Sequence, residues 1–184
     1  LLVDYHVKNG GVSRFVKIRW FVEEVLKRKD ECLINELIYL YSIEMEKLFY
    51  KCQFRTDLFK LKQKLKGTFW GVASGGLETE IKHFLESKSK IKLFELGVYG
   101  SPTPKMEIIK KLKYKETFLS KKNKWFLVGD SYYDFECAIK NEIKFIFASA
   151  WSEIVNPLEL VNQKNVLTIS GIEELNLDLL KSKF

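Results

Sequence analysis

The run from residue 124 to residue 134, Lys-Trp-Phe-Leu-Val-Gly-Asp-Ser-Tyr-Tyr-Asp, limits the fold of this chain more than any other stretch. An apolar segment, residues 125–128, ends in Gly129 and Asp130, and a second acid, Asp134, follows four residues later. That order predicts a buried strand whose C-terminal edge presents Asp130, with Asp134 on the first turn of the next helix. In open α/β sheets, ligands bind in the crevice outside the carboxyl ends of the strands. Two carboxylates there suit a hard divalent cation such as Mg²⁺, which takes oxygen ligands and keeps part of its water shell.

The surrounding pattern agrees with a parallel sheet. Strands are expected at residues 68–73, 94–99, 125–128, 144–148 and 166–169. Helices are expected from near Leu77, from Pro104, over 131–140 and over 171–180. Alternating strands and helices give a sheet covered on both faces, so the expected class is α/β with a Rossmann-like core. Residues 13–66 read differently. Ser13 can cap a helix with an apolar stripe of Phe15, Ile18, Phe21, Val22, Val25 and Leu26. A second stripe runs through Leu33, Leu37, Leu40, Ile43, Leu48 and Phe49, and Thr56 can cap a third helix that Gly67 ends. The expected division is a helical subdomain over 1–66 and the α/β core over 67–184.

Composition removes several classes. No apolar run approaches the ~20 residues of a membrane-spanning helix, so no membrane role is expected. The three cysteines, Cys32, Cys52 and Cys137, are odd in number and far apart. They suit neither a disulfide framework nor a zinc cluster and point to a reducing, cytoplasmic setting. A formal charge of +7 favours anionic ligands. Nucleic acid is not an expected partner, because neither a helix-turn-helix nor an aromatic RNA-binding motif accompanies the charge.

Three elements could carry chemistry. In Gly71-Val-Ala-Ser-Gly-Gly76, Ser74 closes a strand and two glycines lead into a helix. Ser74 and the bare amide of Gly75 can then hold a phosphoryl oxygen, or the segment is simply a strand-to-helix turn. In Gly100-Ser-Pro-Thr-Pro-Lys105, Lys105 falls on the first turn of a helix, the end that repels cations. An anion facing it would account for that placement, and so would a solvent-facing lysine. In Gly129-Asp-Ser-Tyr-Tyr-Asp134, Ser131 and Asp134 also match a capping box, which leaves Asp130 as the clearer metal ligand.

Taken in order, Ser74, Lys105, Asp130 and Asp134 make residues 69–149 resemble the haloacid dehalogenase-like superfamily of phosphohydrolases. The resemblance implies that phosphate passes to an aspartate and then to water, with Mg²⁺ offsetting charge on the transferring group. Ser74 would bind a phosphoryl oxygen, Lys105 would neutralise nucleophile and phosphate, Asp130 would ligate the metal, and Asp134 would support or join it. The helical segment would be a cap that selects the substrate, with Asn9, Ser13 and Arg14 reaching it. The family's Asp-x-Asp nucleophile motif is not seen. Asp4 is the nearest substitute, with His6 in the acid/base position, but Leu1–Val3 is short for a central strand. The first residue is not Met, so a longer natural N-terminus carrying the central first strand is expected. The expected activity is Mg²⁺-dependent hydrolysis of a small phosphorylated metabolite, a sugar phosphate or a phosphorylated hydroxy acid. Alternatives are a catalytically incompetent relative acting by binding, a phosphomutase of the same family, and a phospho-acceptor signalling domain. The last of these carries its acids before its lysine, the reverse of the order here.

Overall fold

The computed structural model describes residues 1–52, 57–116, 124–154, 156–163 and 165–184. Helix α1 (Leu2–Lys8) opens the chain, followed by α2 (Arg14–Trp20), a π-helical stretch (Phe21–Val25), α3 (Glu31–Lys51) and α4 (Asp57–Lys64). Strand β1 (Gly71–Leu77), α5 (Glu78–Ser87), β2 (Gly97–Ser101), α6 (Lys105–Glu116), β3 (Phe126–Gly129), α7 (Tyr132–Lys140) and β4 (Lys144–Ala148) come next. The chain closes with α8 (Leu158–Val161), β5 (Val166–Ile169) and α9 (Leu177–Lys183). The class is mixed α/β with parallel strands flanked by helices, as the alternation predicts.

The strands form two parallel pieces, β1–β2 and β3–β4–β5. β1 pairs only with β2 and β3 only with β4, so each keeps one edge without a strand partner among the described residues. Residues 145–148 of β4 are all buried, as in a sheet covered on both faces. Ile146 and Ala148 join Leu167 and Ile169 on one face, under Leu61, Leu65, Leu175 and Leu180. Phe145 and Phe147 join Val166 on the other, against Ile109, Cys137, Ala138 and Leu160. The α4 segment thus packs on the sheet through Leu61 and Leu65. A separate helical cluster is made by Ile18, Val22 and Ile34.

Several boundaries differ from the sequence expectation, each for a local reason. β1 starts later and runs on to Leu77, because a register shift after Ala73 lets Leu77 pair with Ser101 and absorbs the two glycines. Such a bulge is invisible to periodicity. β2 begins at Gly97, since residues 94–97 close a turn in which Gly97 N donates to Phe94 O at 2.9 Å. The expected helix over 171–180 splits into a 3₁₀ turn, Ile172–Glu174, and α9, with Asn176 Oδ1 accepting from Leu179 N at 2.9 Å as the new cap. On α3 the stripe is shifted: Ile34 is buried, whereas Leu40 and Leu48 are exposed. Thr56 lies outside the described residues. Among the described residues, no helix is long and apolar enough to cross a membrane.

Candidate active site at the carboxyl ends of the strands

The strand ends place the acidic motif first. β3 stops at Gly129, where an added Cβ would sit 2.5 Å from Asp134 Cβ, so the close approach of strand and helix requires glycine. Ser131 caps α7 in a full capping box: its Oγ accepts from Asp134 N at 3.2 Å, and Asp134 Oδ2 accepts from Ser131 N at 3.3 Å. Oδ2 also accepts from Ser131 Oγ at 2.7 Å and from Asp130 N at 3.3 Å. The other oxygen, Oδ1, takes the ammonium of Lys105. Both side chains are buried, so this is a low-dielectric ion pair whose acid has every oxygen engaged.

Asp130 is the contrasting carboxylate. Its side chain is exposed at the strand end, and apart from its own backbone N–H no donor faces it among the described residues. Desolvation by the surrounding chain holds its carboxyl above the ordinary aspartate range; Asp134 pushes the same way, as does Glu153 more weakly, and Lys105 opposes them. A carboxylate left without a counter-charge in this way fits a cation. Among the described residues no three His, Cys, Asp or Glu side chains cluster to hold a metal alone. Mg²⁺ does not require one, because it is commonly held by one or two carboxylates together with substrate phosphate and water. The donor set therefore fits Mg²⁺ on Asp130, with Asp134 fixing the position of Asp130 and Lys105.

This geometry gives a stability prediction. A carboxyl that binds its proton more tightly folded than unfolded leaves the native state holding more protons, so stability falls as pH rises through that window. In metal-free buffer Asp130→Asn is expected to be more stable than the parent at neutral pH. The gain should close as pH falls to the ordinary aspartate value of ~3.9. Urea midpoints at several pH values check it.

The remaining residues meet around the loop before α2. Ser74 Oγ accepts from Gly76 N at 3.0 Å, holding the strand-to-helix turn, and no acceptor takes its hydroxyl proton among the described residues. Ser101 Oγ lies 2.7 Å from both Gly75 O and Ser13 Oγ. A Cβ on Gly75 would come within 2.4 Å of Gly11 O, so β1 touches this loop directly. On its other side, a Cβ on Gly11 would sit 2.5 Å from Ser131 Oγ and 3.5 Å from Lys105 Nζ. The loop thus bridges the ends of β1 and β2 to those of β3 and α7. A cleft of about 30 Å³ remains beside it, with Gly10, Asp130, Ser131, Tyr132 and Glu153 among its walls.

Gly11 has φ +79°, so Gly11→Ala combines left-handed strain, at least ~1 kcal/mol, with a collision at Ser131. Gly67→Ala has a similar φ of +81° and open space around it, and isolates the strain alone. Gly11→Ala is expected to lower the urea midpoint clearly more than Gly67→Ala does.

The three cap residues have defined partners. Asn9 Nδ2 donates to Tyr5 O at 2.8 Å at the end of α1, and Ser13 Oγ accepts from Phe15 N at 3.3 Å as the cap of α2. Arg14 is buried and pairs with Glu80 at 2.6 Å, its guanidinium 4.9 Å from the Tyr41 ring centroid. Sequence reasoning gave no weight to Glu80 or to Lys17, a buried lysine on the same helix. No signal marks either, since each looks like a solvent-facing charge. Asp4 is on α1, 76% exposed and 3.0 Å from the terminal amine, not at a strand end. Cys137 has its thiol pushed up to about 11, chiefly by burial, and is a core residue rather than a nucleophile.

A family model described as a haloacid dehalogenase-like hydrolase matches residues 14–148. No curated protein matches the chain.

Proposed function

The chain belongs to the haloacid dehalogenase-like hydrolases, and from that premise we propose that it serves as a Mg²⁺-dependent phosphatase of a small phosphorylated metabolite. The observation that carries this reading is the buried Lys105–Asp134 pair beside an uncompensated Asp130 at the carboxyl end of a parallel strand. Charge of that kind is useful where a dianionic phosphoryl group must be held out of water.

Lys105 supplies a fixed positive charge for the equatorial phosphoryl oxygens, and Asp134 holds its ammonium in place. Ser74 offers its hydroxyl proton to one of those oxygens, and the Gly75 amide lies next to it. Asp130 would hold Mg²⁺, which when bound offsets charge on the transferring group and orients it. The loop of Gly10 and Gly11 covers the strand ends and limits water there. A helical cap over the strand ends favours compact esters, sugar phosphates or phosphorylated hydroxy acids, in a cytoplasmic setting.

The test is hydrolysis of p-nitrophenyl phosphate with and without Mg²⁺. The reading expects Mg²⁺-dependent turnover that Asp130→Asn removes. Metal-independent turnover, or turnover indifferent to Asp130, would contradict it. A folded, well-behaved sample that binds phosphate with Mg²⁺ but turns nothing over favours the binding role instead. The free edges of β1 and β3 are the observation behind that second reading.

A further inference from the structure

Ser101 is 1% exposed at the end of β2, yet its hydroxyl meets two elements distant in sequence. Its Oγ lies 2.7 Å from Gly75 O on β1 and 2.7 Å from Ser13 Oγ, the cap of α2. Gly75 O can only accept, so the Ser101 proton goes there, and the proton shared by the two hydroxyls comes from Ser13. Ser13 Oγ in turn accepts from Phe15 N at 3.3 Å. The series continues on the far side of the Gly75 carbonyl. The N–H of the same peptide unit, that of Gly76, donates to Ser74 Oγ at 3.0 Å. The bonds thus run in one direction, from Phe15 N–H through Ser13, Ser101 and the peptide between Gly75 and Gly76 to Ser74. The last proton of the series, on the Ser74 hydroxyl, has no acceptor among the described residues.

Hydrogen bonds in series polarise one another, and a peptide whose carbonyl accepts becomes a better donor at its N–H. A hydroxyl that accepts from that N–H has one lone pair fixed, which restricts where its proton points. A buried serine at position 101 is also more than packing requires, because alanine would fill nearly the same space with no oxygen to satisfy. We propose that Ser101 and Ser13 are positioning residues for Ser74. The series orients and polarises the Ser74 hydroxyl, whose free proton goes to a phosphoryl oxygen. The start of α2 thereby sets how firmly the turn after Ser74 holds phosphate. This rests on the phosphatase reading and adds to it two residues that act through a third.

Calorimetric titration of inorganic phosphate into the whole chain at fixed, excess Mg²⁺ tests it. Ser74→Ala is expected to weaken binding about tenfold or more, the scale of one charge-assisted bond. Ser101→Ala and Ser13→Gly should each weaken it by about threefold, since the Ser74 hydroxyl remains but loses its orientation and part of its polarisation. Glycine caps a helix nearly as well as serine, so Ser13→Gly removes the proton and spares the fold should Ser101→Ala disturb it. Ser13→Thr keeps both cap and proton and should bind phosphate as the parent does. In a Ser74→Ala background, Ser101→Ala and Ser13→Gly should cost nothing further, because the group they orient is gone. Losses that persist undiminished in that background, or parental affinity in both Ser101→Ala and Ser13→Gly, overturn the positioning role alone. Phosphate binding that ignores Ser74→Ala removes Ser74 from the site and overturns the series with it. Failure of the parent to bind phosphate at all overturns the phosphatase reading, and the series falls with that.

Discussion

Asp134→Ala is expected to destabilise the protein by about 3–5 kcal/mol, the cost of breaking a buried ion pair by removing one partner. Lys105 would keep its ammonium in a pocket where it is 8% exposed, with no carboxylate left to meet it. The same substitution deletes the acceptor for Ser131 Oγ and for the backbone N–H groups of Asp130 and Ser131. It therefore removes the reciprocal half of the α7 capping box, leaving the Ser131 cap itself, and loosens the turn that carries Asp130. Urea denaturation measures the loss. Adding Lys105→Met to Asp134→Ala should recover part of it, because the stranded charge goes with the lysine. A loss under ~1 kcal/mol, typical of an exposed pair, would mean that the pair is solvated and that Asp134 has only a capping role.

Lys105→Met is expected to lower Mg²⁺-dependent hydrolysis of an aryl phosphate by about 10²–10³-fold in kcat, the usual cost of one preorganised charge-stabilising group. Its effect on stability should be smaller than that of Asp134→Ala. Without the lysine, Asp134 still accepts from Ser131 Oγ and two backbone N–H groups. The two variants thus separate: one mainly unfolds, the other mainly stops chemistry. A raised KM with kcat unchanged would place Lys105 in ground-state binding only.

Much of the site was legible because its signals are local. The capping box needs only Ser131 and Asp134 three residues apart, and the edges of β4 and β5 fall where their apolar runs end. Lys105 on a first helical turn stood out because that is the wrong end of a helix for a cation. What escaped was set by distant contacts. Helix α1 (Leu2–Lys8) has no side-chain cap that would announce its start in the sequence. β1 continues through Ser74 because Ser101, a strand away, offers a register for Leu77. Arg14 read as a guanidinium free for substrate, yet its position depends on Glu80, 66 residues later. The engagement of both Asp134 oxygens, and hence the division of labour between the two aspartates, also depends on Lys105 arriving from another element.

The most direct measurement is calorimetric titration of inorganic phosphate into the folded chain, with and without Mg²⁺, alongside Asp130→Asn. If the strand ends form a phosphoryl site with Asp130 as its metal ligand, Mg²⁺ will strengthen phosphate binding by about tenfold or more, and Asp130→Asn will remove that strengthening while leaving the weaker metal-free binding. Phosphate binding that ignores Mg²⁺, or that Mg²⁺ strengthens equally in both proteins, would contradict it.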